Sequence, residues 1–243
     1  MWYAIVLVAL LASGPAVADA RKDCMSGTPE QVIRGCTKLI ETGRYRGHQL
    51  AIIYNNRGLA HERIAQWHEA VWSYTAALRH DRQLRTSLMG RARSYRELRQ
   101  FDEAISDIMT LILLDPKIYE PRRALAFTYM LKEDYQAAVR AFSEAIEIFP
   151  RESDLYKGRV VARFKMAAKD QVRLNLVCVE TMKDLDAMLV MRPNAWAYAV
   201  RGRCKVIRGY RQEAVEDLKK ALELDPHDET ARRELKNLGH PVP

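Results

Sequence analysis

EAVWSYTAALRHD at 69–81, EAISDIMTLILLD at 103–115 and QAAVRAFSEAIEIF at 136–149 are one pattern written three times. Ala70, Ala104 and Ala138 stand 34 residues apart, Pro116 and Pro150 keep the same interval, and Arg82 holds the corresponding earlier place. A fourth copy, EAVEDLKKALELDP at 213–226, carries Ala214, Ala221 and Pro226 at the same internal offsets. Upstream of each copy lies a second helical stretch, exemplified by YNNRGLAHERI at 54–64 and YAVRGRCKVIRGY at 198–210. A fixed period in this range marks a repeat architecture. Two helices of about fourteen residues joined by a short turn cannot bury their apolar faces alone, so neighbours must stack. Small residues at Gly58, Ala70 and Ala77 let helix axes approach, while Tyr54 and Tyr74 fill the space between turns. A Pro following Leu-x-Asp ends the second helix.

From about Thr28 onward the chain resembles the tetratricopeptide repeat (TPR) family. The matching positions are Tyr54, Gly58, Ala70, Tyr74 and Ala77, then Ala92, Tyr95, Ala104 and Pro116, then Ala126, Tyr129, Ala138, Phe142, Ala145 and Pro150. Gly202, Gly209, Ala214, Ala221 and Pro226 carry the pattern in the last copy. The resemblance implies an all-α fold, a right-handed superhelical solenoid of helix-turn-helix units with an N-terminal half-repeat and a C-terminal capping helix. On this reading residues 1–20 are a signal peptide and 21–50 the half-repeat. Repeats follow at 51–84, 85–118 and 119–152, then an expanded, degenerate one at 153–194, a fifth at 195–227, and the cap and tail at 228–243. The expansion is read from QVRLNLVCVETMKDLDAMLVM, 171–191, as one long second helix opposite LYKGRVVARFKM, 155–166, which has Val160 where other copies have Gly or Ala. Asp228 is placed to cap the last helix, DETARRELKNLG.

AIVLVALLA at 4–12 is too short to span a bilayer, which takes about 20 residues. Helix-breaking Ser13, Gly14 and Pro15 follow, then AVA and ADA, so a signal peptidase could cut after Ala18 or Ala20. An uncleaved anchor is the competing reading, since no Lys or Arg precedes the apolar run. Export to a periplasm or beyond places Cys24, Cys36, Cys178 and Cys204 in an oxidising compartment, where four cysteines allow three pairings. PEQVIRGCTKLI at 29–40 reads as a second helix whose first-helix partner is missing, so a Cys24–Cys36 bond would tie a loose N-terminal strand over the gap. That arrangement, followed by AIIYNNRG, looks like a group of exported bacterial TPR proteins. Cys178 and Cys204 form the other candidate pair, with two buried thiols in a helix seam as the alternative.

The 243 residues carry Lys+Arg 39 against Asp+Glu 31, a net charge of +8, and are 48% hydrophobic and 29% charged. That composition excludes a wholly disordered chain and a polytopic membrane protein. No G-x-S-x-G, H-E-x-x-H, G-x-x-x-x-G-K-[ST] or G-x-G-x-x-G is present, and the six His residues show no ligand spacing on one helix. No enzyme activity, metal or cofactor is therefore expected. The densest basic stretch, Arg79 to Arg99, reads either as a solvated face or as a surface for an acidic peptide or anionic lipid; nucleic acid is not expected.

Family resemblance implies a concave groove lined by the first helix of each repeat. Its positions here are Asn55 and Leu59; Met89, Arg93 and Arg96; Arg123, Phe127 and Met130; and Lys157, Val161 and Phe164. The carboxylate clamp of chaperone-binding TPR domains wants Lys, then Asn four residues later, where this chain has Asn55 and Leu59, so that clamp is not expected. Arginines beside Met and Phe suit a protein or peptide partner both acidic and apolar. The expectation is a non-catalytic interaction scaffold of the envelope or periplasm. The alternative is a self-associating assembly protein without a peptide groove.

Overall fold

The computed structural model describes residues 15–167 and 171–241. Those residues form thirteen α-helices and no strand. The first unit, ending at Leu114, holds α1 (Pro15–Met25), α2 (Pro29–Glu41), α3 (Gly47–Arg63), α4 (Trp67–His80), α5 (Arg85–Glu97) and α6 (Phe101–Leu114). The second, from Asp115, holds α7 (Tyr119–Leu131), α8 (Tyr135–Ile148), α9 (Ser153–Ala167), α10 (Gln171–Met191), α11 (Ala195–Ile207), α12 (Arg211–Leu224) and α13 (Glu229–Asn237). In each unit consecutive helices pack as hairpins, and each hairpin stacks on the next.

The repeating small residues lie where helices meet. Ala70, Ala77, Ala104, Ala138, Ala145, Ala214 and Ala221 are all fully buried. Tyr74 and Phe142 fill the seams beside them, each worth about 1.5–3 kcal/mol of burial. A Cβ on Gly58 would stand 2.9 Å from the Tyr74 ring, so α3 and α4 approach this closely only with glycine there. The turns α3–α4, α5–α6, α7–α8 and α11–α12 are of one kind. Ala65, Arg99, Glu133 and Gly209 adopt φ of 56°, 58°, 64° and 84°, and the next amide reaches back over the helix end, as in Gln66 N–H to the His61 carbonyl at 2.9 Å. This is the left-handed helix stop that glycine favours, borne here by Ala, Arg and Glu in three of four cases.

One element departs from the sequence reading. Where a loose strand was expected before α2, Pro15–Met25 form the helix α1, which packs on α2 and buries Ala20 and Cys24 against Val32, Cys36 and Leu39. Gly35 permits it: a Cβ there would lie 2.7 Å from the Cys24 amide nitrogen and the Ala20 carbonyl. α2 has its first helix after all, drawn partly from residues assigned to the signal peptide. The apolar run 4–12 lies outside the described residues, and no described helix is long and apolar enough to cross a membrane. Cys24 and Cys36 stand at disulfide separation, Cα atoms 4.7 Å apart, and so do Cys178 and Cys204, at 5.0 Å. At the other end, Asp228 accepts from the Ala231 amide at 2.8 Å and starts α13, which packs on α11 and α12.

A half-buried arginine bonded to a buried aspartate ties the hairpins together. Arg91 on α5 holds Asp107 on α6 through two bonds of 2.8 and 2.7 Å, and reaches Thr75 on α4 at 3.1 Å. Arg201 on α11 holds Asp217 on α12 in the same way and reaches Asp186 on α10. Arg159 on α9 holds Asp184 on α10 and reaches Ser143 on α8. Arg–Asp separation is 16 residues in the first two and 25 in the third, so the extra residues of this hairpin, two in α9 and seven in α10, precede Asp184 and leave the pair intact. In α7 and α8 both members are replaced together, by Leu125 and Ala141.

Asp107→Ala is expected to strand Arg91 and destabilise the protein by about 3 kcal/mol. The double change Arg91→Leu with Asp107→Ala, already native in α7 and α8, should recover most of that loss. Urea unfolding decides it: equal losses in the single and double variants would show that the two residues do not act as a pair.

Candidate functional site

Five of the groove positions read from the sequence, Asn55, Leu59, Met89, Arg93 and Arg96, belong to the first unit; Arg123, Phe127 and Met130 belong to the second. In the first unit, Asn55 on α3 accepts a hydrogen bond from the Ser87 hydroxyl on α5 at 2.9 Å. Leu59, Met89 and Arg96 are half-buried, and Met89 leans on Leu88 and its neighbours. Arg93 is engaged within the chain. Its Nε and Nη2 donate to Glu62 at 2.6 and 3.1 Å, and the Tyr74 hydroxyl donates to the same carboxylate at 2.7 Å. Burial, then this carboxylate, push the Tyr74 phenol far above its ordinary range.

Arg123 in the second unit is engaged likewise. Its Nε and the Tyr119 hydroxyl both donate to Asp154, and its guanidinium lies 4.8 Å from the Phe127 ring. Phe127 in turn meets Phe142 edge-on at 5.1 Å, with Met130 in the same cluster. Arg93 and Arg123 are therefore partnered by this chain's own carboxylates. The sequence shows no sign of it, since both partners lie 31 residues away in a neighbouring hairpin.

The open apolar surface sits elsewhere in the second unit. Val161, Phe164, Trp196 and Val200 line a cleft of about 370 Å³ between α9, α11 and α13, with Lys165, Arg203 and Thr230 completing its wall. Lys157 sits over the Trp196 ring at 5.1 Å. Val161 and Phe164 were among the groove positions; Trp196 and Val200 were missed. The repeat period places Trp196 early in the first helix of the last copy and could have found it. Among the described residues no group of three or more His, Cys, Asp or Glu could hold a metal ion.

The tetratricopeptide repeat family model matches residues 86–118, 124–152 and 197–228, which contain most of α5–α6, α7–α8 and α11–α12. The chain is a tetratricopeptide repeat protein. It is 25% identical over 171 residues to human tetratricopeptide repeat protein 6, covering 69% of this chain and 31% of that one. It is 27% identical over 190 residues to a DnaJ homolog subfamily C member 7 homolog of Dictyostelium discoideum, covering 71% and 34%. The chain thus spans about a third of the length of these curated relatives. Among solved structures it resembles YrrB, described as a TPR protein with an unusual peptide-binding site, at a TM-score of 0.62 and 19% identity, covering 83% and 97% of the two chains. It also resembles MamA, at 0.61 and 21%, covering 79% and 98%. These likenesses establish the helical-repeat fold. TPR proteins generally act as protein-interaction scaffolds.

Because Arg93 neutralises Glu62, Arg93→Ala is expected to lower stability by about 1–2 kcal/mol. Arg79→Ala on the exposed face of α4 should stay within about 0.5 kcal/mol. Thermal unfolding of both variants checks this, and an unaltered midpoint for Arg93→Ala would mark that arginine as available to a ligand.

Proposed function

We propose that this TPR chain is an exported, non-catalytic scaffold of the periplasm or envelope that binds a protein or peptide segment both acidic and apolar. The observation that carries the reading is the cleft of Val161, Phe164, Trp196 and Val200, rimmed by Lys157, Lys165 and Arg203. Half-exposed aromatic faces take an apolar side chain, and the ammonium and guanidinium groups at the rim take carboxylates beside it. Arg93, Arg96 and Arg123 act less as grips than as framework, given the own-chain carboxylates on Arg93 and Arg123. Self-association without a peptide groove is the second reading, and an exposed Leu113 and Met109 on α6 are what favour it.

Export is supported by the apolar run 4–12, the AVA and ADA sites, and two cysteine pairs at disulfide separation, which suit an oxidising compartment. Since Ala20 is part of the core beneath α1, cleavage after Ala18 is the cut that preserves it. Mass spectrometry of the exported protein is expected to find a chain beginning at Asp19, with Cys24 joined to Cys36 and Cys178 to Cys204. An intact Met1 with four alkylatable thiols would overturn this.

Selection from a library of random dodecapeptides tests the binding reading. Enriched sequences are expected to pair Asp or Glu with aromatic or aliphatic residues. Trp196→Ala and Phe164→Ala should each weaken the selected peptides at least about tenfold, as expected for a central aromatic anchor. Cleft variants that bind like the parent chain would refute the site. No enriched class, together with a sedimentation mass that rises with concentration, would favour self-association.

A further inference from the structure

The arginine tie that recurs through both units is incomplete in one hairpin. Arg57 on α3 stands 16 residues before position 73, as Arg91 stands before Asp107 and Arg201 before Asp217, but residue 73 is Ser. Arg57 Nε donates to the Ser73 hydroxyl at 3.2 Å and Nη1 to Thr37 on α2 at 3.4 Å. Nη2, which in Arg91 and Arg201 holds the second carboxylate oxygen, is enclosed and has no acceptor. The side chain is only 7% exposed. Where α7 and α8 lack the carboxylate they lack the arginine too; here the cation remains without it. An isolated buried charge of this kind is costly to keep. Burial pulls the Arg57 pKa below its ordinary value, whereas donating hydrogen bonds to Asp107 and Asp217 raises those of Arg91 and Arg201.

Beside this guanidinium opens a cavity of about 400 Å³ lined by Thr37, Arg57, His61, His68, Glu69 and Trp72. Two aromatic rings flank the cation: Tyr54 at 5.0 Å and Trp72 at 4.7 Å. Trp72 lies over the guanidinium and is 59% exposed, so turning its indole aside costs little packing. Glu69 at the mouth is solvated and makes no ion pair with Arg57. We propose that Arg57 and its cavity receive the side-chain carboxylate of an Asp or Glu from a partner polypeptide, which takes the place of the aspartate missing at Ser73, with Trp72 as the movable cover. A carboxylate is the ligand chemistry because the same guanidinium geometry is met by an aspartate in three other hairpins. This site lies in the first unit and does not depend on the cleft of the second.

Acetate, the smallest analogue of an Asp side chain, is the probe. The full chain is titrated with sodium acetate at constant ionic strength while the Trp72 indole N–H resonance is followed by NMR, its assignment fixed with Trp72→Phe. A saturable shift is expected. Ser73→Asp supplies the carboxylate from within and should weaken acetate binding at least about tenfold while raising Tm by about 2–4 °C. Arg57→Leu with Ser73→Ala, which copies the apolar pair of α7 and α8, should abolish the shift even if Ser73→Asp does not fold. The proposal is overturned if the Trp72 resonance does not respond, if it responds equally in the double variant, or if inorganic phosphate saturates it at lower concentration than acetate.

Discussion

A guanidinium held between three helices by a buried aspartate sets the geometry on which both units depend. Each of Arg91, Arg159 and Arg201 grips a carboxylate on the second helix of its own hairpin and a hydroxyl or carboxylate on the helix before it. Packing of small residues lets helices approach, but alanine against alanine leaves rotation and sliding cheap. A bidentate contact fixes direction as well as distance. The third bond extends that constraint from one hairpin to the next, so stacking is specified by hydrogen bonds as well as by burial. Burial supplies most of the free energy.

This constraint explains where the chain has tolerated change. The α9–α10 hairpin carries its extra residues ahead of Asp184, two in α9 and seven in α10, and seven residues make about two helical turns, which keeps the carboxylate on the face turned to Arg159. In α7 and α8 both members are absent, and Leu125 and Ala141 pack in their places. Both outcomes avoid a lone buried charge. Losing one partner of a buried pair costs more than replacing both.

Much of the fold was legible in the sequence because it depends on local period. Ala70, Ala104 and Ala138 recur at one interval in sequence and each is fully buried in its own hairpin, and Asp228 could be read as a cap because capping is a contact three residues long. The helix α1 was not legible, since PAVADARKDCM carries the small residues of a cleavage site and shows its helical role only against Gly35 of α2. The site was less legible than the fold. Arginines between Arg79 and Arg99 read as one basic stretch, but Arg91 turns inward to Asp107 and Arg93 across to Glu62. A one-dimensional charge count cannot separate a solvated arginine from one whose partner lies 16 or 31 residues away. A 16-residue Arg–Asp offset, scanned along the chain, finds Arg91–Asp107 and Arg201–Asp217 but neither Arg93–Glu62 nor Arg159–Asp184.

Ligand sites in such an array arise where self-satisfaction stops. Several arginines on the first helices are answered by this chain's own carboxylates, so a run of arginines in the sequence is not a run of free cations on the surface. The second unit leaves aromatic rings at Phe164 and Trp196 half-exposed, and the first leaves one guanidinium atom of Arg57 without an acceptor. These are different deficits, one of apolar cover and one of charge. Each calls for what its neighbours already have: a side chain to fill a seam, or a carboxylate to close a tie. A repeat protein built from nearly identical parts thus becomes specific through its exceptions, since every regular position is already satisfied by the next repeat.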